Sequence, residues 1–117
     1  VYKRQVNRKQ TLAMTYENIS PSEAKSRMDA DPEAVIVDVR RPDEFVTGHI
    51  PGALNVPLAD IQDGNIPPCL ADKNAVYLIY CRSGVRSVTA AVALEKMGYT
   101  HLANFGGILD WPYEIEH

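Results

Sequence analysis

YLIYCRSGVRS, Tyr77 to Ser87, changes character twice. An apolar run, Val76-Tyr77-Leu78-Ile79-Tyr80, stops at Cys81, and Arg82 and Arg86 then flank small Ser83 and Gly84. From Val85 onward Val85, Val88, Ala91, Val92 and Met97 recur at helical spacing. The segment therefore predicts a buried strand, a tight loop and a helix, with Cys81 where the strand ends. A second apolar run, Val35 to Val39, is β-branched except at Asp38, as in a central parallel strand. Strands alternating with helical patterns predict an α/β domain, a mostly parallel sheet with helices on both faces. Ligands in such sheets bind beyond the carboxyl ends of the strands, which is where Cys81 falls.

That position has chemical consequences. The first turn of a helix carries unpaired N–H groups and the positive end of the macrodipole. A short loop made pliable by Gly84 can aim several of those groups at one point, an anion site. A cysteine there, beside two arginines, is expected to have a lowered pKa and to react as a thiolate. The alternative, a small buried hydrophobe, gives no reason for two arginines within five residues, since arginine is costly to bury unpaired.

Working outward, residues 1–13 are polar and basic without a period and read as a flexible arm or linker, leaving a domain over 14–117. A first strand is expected over Thr15 to Ile19. Ser20-Pro21-Ser22-Glu23 has the form of a helix start, with Ser20 as N-cap, Pro21 in the first turn and Glu23 placed for a capping box. Asp38 is costly in a buried strand unless paired, so it is expected to hold loop N–H groups or an arginine near the active loop. Pro42 to Phe45 reads as a short helix, and Gly48 to Ala53 as a tight connection into a strand over Leu54 to Val56. His49 could act as a general base, but a thiolate activated by its own loop needs none, so His49 is expected to tie down that turn. Cys69 reads as a packing residue, with a resolving thiol for Cys81 as the alternative. Tyr99 to Asn104 is expected as the last strand, with Phe105 to Leu109 turning through Gly106-Gly107 into a short helical piece. Trp111 and Tyr113 are expected to pack on the domain.

At 117 residues, with 45% hydrophobic and 23% charged residues, the chain has the size and composition of one soluble domain with a real core. The net charge of −3 is asymmetric: residues 1–13 hold four bases and no acid, and the remainder holds eight bases against fifteen acids. Such an acidic domain does not point to nucleic acid. No apolar run approaches a membrane span. Two cysteines make no disulfide framework, and three scattered histidines make no metal site. Free thiol chemistry without an apolar signal core predicts the cytoplasm, with export after removal of a signal as the alternative.

Three stretches together resemble the rhodanese (sulfurtransferase) family. CRSGVRS after an apolar strand is similar to its active-site loop. IVDVRRPDEFVTGHIPGALNVPL, Ile36 to Leu58, is similar to its strand, aspartate and Gly-His-Ile-Pro-Gly-Ala segment, and FGGILDW, Phe105 to Trp111, to its double-glycine ending. They stand in the family's order and cover about Tyr16 to Tyr113. The resemblance implies a single rhodanese-like domain and sulfur transfer by double displacement, with Cys81 as nucleophile and no cofactor. Loop groups from Arg82, Ser83, Gly84, Val85, Arg86 and Ser87 would bind the reacting sulfur, with Arg82 and Arg86 offsetting an anionic donor such as thiosulfate. Asp38, Arg40 and Glu44 would support them. The acceptor would be a thiol, cyanide or a protein, and the chain a monomer or weak dimer. Two-domain thiosulfate enzymes of the family carry an arginine where Glu44 aligns, so Glu44 is expected to pair with Arg40 or Arg86 and to weaken thiosulfate as a donor. Two other readings stand beside this one. One is a sulfur-carrier or interaction module without turnover. The other is a cysteine-based phosphatase or arsenate reductase, whose loop places five residues between Cys and Arg against four between Cys81 and Arg86.

Overall fold

The strand, loop and helix expected around Cys81 are present in the computed structural model, which describes residues 16–117. The basic segment 1–13 lies outside the described residues. The elements are β1 (Tyr16–Asn18), α1 (Pro21–Ala30), β2 (Val35–Asp38), α2 (Pro42–Phe45), β3 (Leu54–Asn55), α3 (Leu58–Gln62), β4 (Val76–Cys81), α4 (Val85–Lys96) and β5 (His101–Gly107). Short 3-10 turns occupy Pro68–Leu70 and Ile108–Asp110. The strands form one sheet in the order β1-β5-β4-β2-β3, and every pairing is parallel. β4 thus sits at the centre, between β5 and β2.

Alternation along β4 sorts the core into two layers. Tyr77, Ile79 and Cys81 share a buried cluster with Ile61 of α3 and with Ala90, Ala91 and Leu94 of α4. Leu78 and Tyr80 point the other way, into a cluster with Ala24 of α1, Ile50, Phe105 and Trp111. Helices therefore cover both faces, as the alternating pattern predicts. α1 starts at Ser20 and Pro21 as expected: Ser20 Oγ accepts the Glu23 N–H at 3.1 Å, and Pro21 opens the first turn. The Glu23 carboxylate, expected to close a capping box, instead accepts from Arg27 Nε one turn on, at 2.9 Å. α4 runs to Lys96, and Gly98 follows at φ +100, the left-handed position that a helix end favours in glycine. No described helix is long and apolar enough to cross a membrane.

Three local expectations are corrected. Phe105-Gly106-Gly107 belongs to β5 rather than to a turn. Ile79 is in register with Asn104 and Cys81 with Gly107, so β5 carries one extra residue there, a bulge with Gly106 at φ +95. The strand after the Gly48–Ala53 connection is confined to Leu54–Asn55, because β3 is an edge strand paired to β2 alone. Cys69 is exposed rather than packed, because the 3-10 turn directs Leu70 into the core and leaves Cys69 outside. It stands near Tyr77 and Tyr99, and Tyr77 lies at the amino end of β4. Cys69 and Cys81 are both free thiols, one exposed and one buried.

Candidate active site

Cys81 is the last residue of β4 rather than part of the loop after it, and its side chain lies on the face that α4 covers. Gly84, at φ +107, is the N-cap of α4 and supplies no side-chain cap. The helix's first N–H groups are therefore left for another acceptor, and that acceptor is sulfur. The Gly84 N–H donates to Cys81 Sγ at 3.0 Å, and Ser87 Oγ lies 3.5 Å from it. Cys81 is 1% exposed, so the sulfur forms the floor of the loop. Burial, the largest single influence, pushes the thiol pKa up. The Ser87 hydroxyl and the N–H groups of Ser87, Gly84 and Ser83 together outweigh it and leave the pKa below its ordinary value.

The loop rests on the double glycine of β5. A Cβ on Gly107 would overlap the Arg82 carbonyl and the Ser83 Cα, and a Cβ on Gly84 would stand 3.4 Å from the Gly106 Cα. The Leu109 N–H donates to the Arg82 carbonyl at 3.2 Å and closes this seat. Gly107 has φ −126, which any residue can adopt, so it is space and not conformation that requires glycine here.

Of the two partners expected for Glu44, Arg40 and Arg86, the structure pairs it with Arg86. Arg86 makes a bidentate pair with Glu44 of α2, at 2.6 and 3.0 Å. Glu44 also accepts the Arg41 N–H at 3.0 Å. The Arg86 guanidinium, first, and these other donors hold the Glu44 carboxyl down to about 2, against burial. Arg86's charge is therefore already balanced. Arg82 is exposed, has no ion-pair partner among the described residues, and stands on the wall of a groove of about 310 Å³ with Arg40, Glu44, Leu109, Ile115 and His117. Val85 turns its side chain to solvent, 72% exposed.

Asp38 and Arg40 are a buried pair, joined at 2.7 Å. Arg40 also donates to the Gly48 carbonyl at 2.7 Å, which fastens the end of β2 to the turn ahead of β3. The pair supports the sheet end that carries the loop without bonding the loop itself. His49 behaves as a structural residue: Nδ1 lies 3.1 Å from the Phe45 carbonyl, the ring stacks on Phe45, and its backbone exchanges hydrogen bonds with Glu116.

Sequence reasoning missed Asn104 and Asn18. Ser87 Oγ donates to Asn104 Oδ1 at 2.6 Å, and Asn104 Nδ2 donates to Asn18 Oδ1 at 3.0 Å. Asn104 also accepts the Gly106 N–H at 3.1 Å, so it braces both the bulge and the residue behind the sulfur. The signal was available, since Asn104 interrupts an apolar strand as Asp38 does. Among the described residues no group of three or more His, Cys, Asp or Glu is placed to hold a metal ion.

A buried cysteine under a glycine-capped helix start, seated on a double glycine, is thus the chemical centre of the chain. The family model described as Rhodanese-like domain matches residues 20–113, which contain all of it. The thiosulfate sulfurtransferase PspE of Escherichia coli is 39% identical over 74 residues, 63% of this chain and 70% of that protein. The putative sulfurtransferase YtwF of Bacillus subtilis is 32% identical over 103 residues, 88% of this chain and 97% of that protein. Among solved structures, a rhodanese-like domain protein from Staphylococcus aureus superposes with TM-score 0.72 at 33% identity, over 86% of this chain and 96% of its own. A rhodanese with anions from E. coli superposes with TM-score 0.64 at 35% identity, over 71% and 96%. Fold, glycine-seated loop and sequence agree, and the chain belongs to the rhodanese-like domain family, whose relatives here include named sulfurtransferases.

Proposed function

We propose that the protein is a sulfurtransferase that carries sulfane sulfur on Cys81. The observation that supports this best is the sulfur itself: Sγ accepts the Gly84 N–H at 3.0 Å, with the Ser83 and Ser87 N–H groups and the Ser87 hydroxyl also stabilising its anion. In the first half-reaction the Cys81 thiolate attacks the outer sulfur of a donor such as thiosulfate. A sulfur–sulfur bond forms on Cys81, the donor's own sulfur–sulfur bond breaks, and sulfite leaves with the electron pair. In the second, a thiol, cyanide or protein nucleophile attacks the outer sulfur and the Cys81 thiolate departs. The N–H groups of the loop hold the terminal sulfur of the persulfide while it is anionic. Both half-reactions run on side-chain and backbone groups of this chain. Of the two loop arginines, Arg82 is the one left to receive a charged donor, because Arg86 is engaged by Glu44. That engagement favours a less charged donor, a small or protein-borne persulfide, over thiosulfate. It also argues against a phosphatase, which needs the loop arginine free for a phosphate dianion.

Intact mass spectrometry tests the reading. Incubation with thiosulfate or with a small persulfide adds one sulfur, about 32 Da, which cyanide removes and which Cys81→Ser prevents. Charging by the persulfide alone would reassign the donor. Failure of both donors to charge Cys81 defeats the reading, and release of phosphate from an aryl phosphate would replace it.

A further inference from the structure

Ser87 and Asn104 make a buried contact behind the sulfur whose consequences extend past the loop. Ser87 is 0% exposed and Asn104 7% exposed, so solvent competes little for the hydrogen bond between them. A serine hydroxyl has one proton to give. Around Ser87 Oγ stand four acceptors: Asn104 Oδ1 at 2.6 Å, the Gly84 carbonyl at 3.2 Å, the Gly106 carbonyl at 3.4 Å and Cys81 Sγ at 3.5 Å. We propose that Asn104 is a positioning residue that competes with the Cys81 sulfur for the Ser87 proton, so that the hydroxyl turns between them as the sulfur gains and loses charge.

The orientation of Asn104 is fixed by its own partners. Nδ2 donates to Asn18 Oδ1, and Oδ1 accepts the Gly106 N–H, so the carbonyl end faces Ser87. With Cys81 as a thiol, the S–H donates to Ser87 Oγ and the Ser87 O–H goes to Asn104. Ionisation releases the thiol proton to solvent and makes Sγ the stronger acceptor. The Ser87 O–H then turns to the sulfur, with no bond to hydrogen broken on Ser87. Asn104 Oδ1 keeps the Gly106 N–H, so the turn strands no buried acceptor. The charged groups around the site are Arg86 held by Glu44, Arg82 of the loop, and the Asp38–Arg40 pair at the end of β2. None of them hydrogen-bonds Ser87 or Asn104 among the described residues.

Asn104 therefore favours the states in which Sγ is uncharged, and Ser87 favours the thiolate. In turnover, which rests on Cys81 being the reacting sulfur, the hydroxyl follows the charge: toward Sγ before attack, and back to Asn104 once Sγ lies within a sulfur–sulfur bond. The contest for the proton itself does not depend on which donor is used.

The test is the thiolate population of Cys81, read by ultraviolet absorbance in a Cys69→Ser background at a pH below the titration midpoint. Ser87→Ala lowers it. Asn104→Ala raises it roughly threefold, the size of one net hydrogen bond. The double variant matches Ser87→Ala, because Asn104 reaches the sulfur through that hydroxyl, its other bond, to the Gly106 N–H, serving the bulge. A lowered or unchanged population in Asn104→Ala, or a separate effect of Asn104 in the double variant, overturns the proposal. Should Asn104→Ala not fold, the Asn104 side-chain amide in nitrogen-15 spectra of the otherwise native protein gives the answer. Its resonance moves with the Cys81 midpoint and stops moving in Ser87→Ala, and a resonance indifferent to that titration overturns the proposal. Thiolate shifts as stated in a protein that takes up no sulfur would support this contest and defeat the sulfurtransferase reading.

Discussion

Glu44 decides how much positive charge the loop offers. Its carboxylate engages both terminal nitrogens of Arg86, and Glu44→Gln releases that guanidinium toward the substrate while keeping the side chain's shape. Turnover with dianionic thiosulfate should then rise about threefold to tenfold relative to turnover with a less charged persulfide. Rates for both donors in both proteins measure it, and an unchanged ratio would show that Glu44 does not set donor preference. Arg82 is the complementary case. It is exposed and has no ion-pair partner among the described residues, so it can contribute binding that is equal in the ground and transition states. Arg82→Ala should raise KM for thiosulfate about tenfold with kcat little changed. A fall in kcat at constant KM would instead place Arg82 on the transition state. These roles differ in how far the sequence exposes them. Cys81 with two nearby arginines is legible as a reactive thiol from local spacing. The partnership of Arg86 with Glu44 spans 42 residues, and no local pattern decides between Arg40 and Arg86 as the partner. Asn104 stands out less than Asp38 because a neutral amide costs far less to bury than a charge and so demands a partner less plainly.

Elements built on one continuous pattern are legible in the sequence, and elements shaped by a neighbour are not. The β-branched run of β2 and the apolar run of β4 follow from burial on both faces. The start of α1 follows from a serine and a proline in fixed order. Ser20→Ala there removes the acceptor of the Glu23 N–H and should cost about 1 kcal/mol of stability in denaturant unfolding. Phe105-Gly106-Gly107 looked like a turn because paired glycines usually mark one. The structure gives another reason for them: Gly106 absorbs the bulge, and Gly107 leaves room for the loop that follows Cys81. Nothing near Gly107 in sequence announces that Arg82 and Ser83 will lie against it. Gly107→Ala should therefore lower stability by about 1–3 kcal/mol and also raise the fraction of thiol over thiolate, since the loop that aims N–H groups at Sγ must move away. Denaturation together with the pH dependence of alkylation would show both. Loss of stability with an unchanged alkylation profile would mean that the loop keeps its geometry and the strain is taken up in β5.

Across the whole molecule, alternation of strands and helices implied a parallel sheet, but no pattern within one strand gives the order β1-β5-β4-β2-β3. That order puts the cysteine-bearing strand in the middle and leaves the short α2, on the β2 side, to reach the first turn of α4 through Glu44 and Arg86. The pair fastens two elements that are far apart in the chain, so it should appear in the stability of the whole fold. The sign follows from the carboxyl group, which falls from an ordinary value of 4.5 to about 2 in the folded protein. A group depressed on folding stabilises the fold at pH values above its unfolded pKa, and that contribution disappears as pH falls through the folded pKa. The gap in Tm between the parent protein and Glu44→Gln should therefore be widest and flat above about 4.5, narrow as the pH falls, and close near 2. The parent is the more stable of the two over the upper range. Thermal unfolding at a series of pH values measures this directly. A gap that persists unchanged at pH 2 would mean that the glutamate acts through packing and neutral hydrogen bonds, and equal Tm at neutrality would mean that desolvating the pair cancels its attraction.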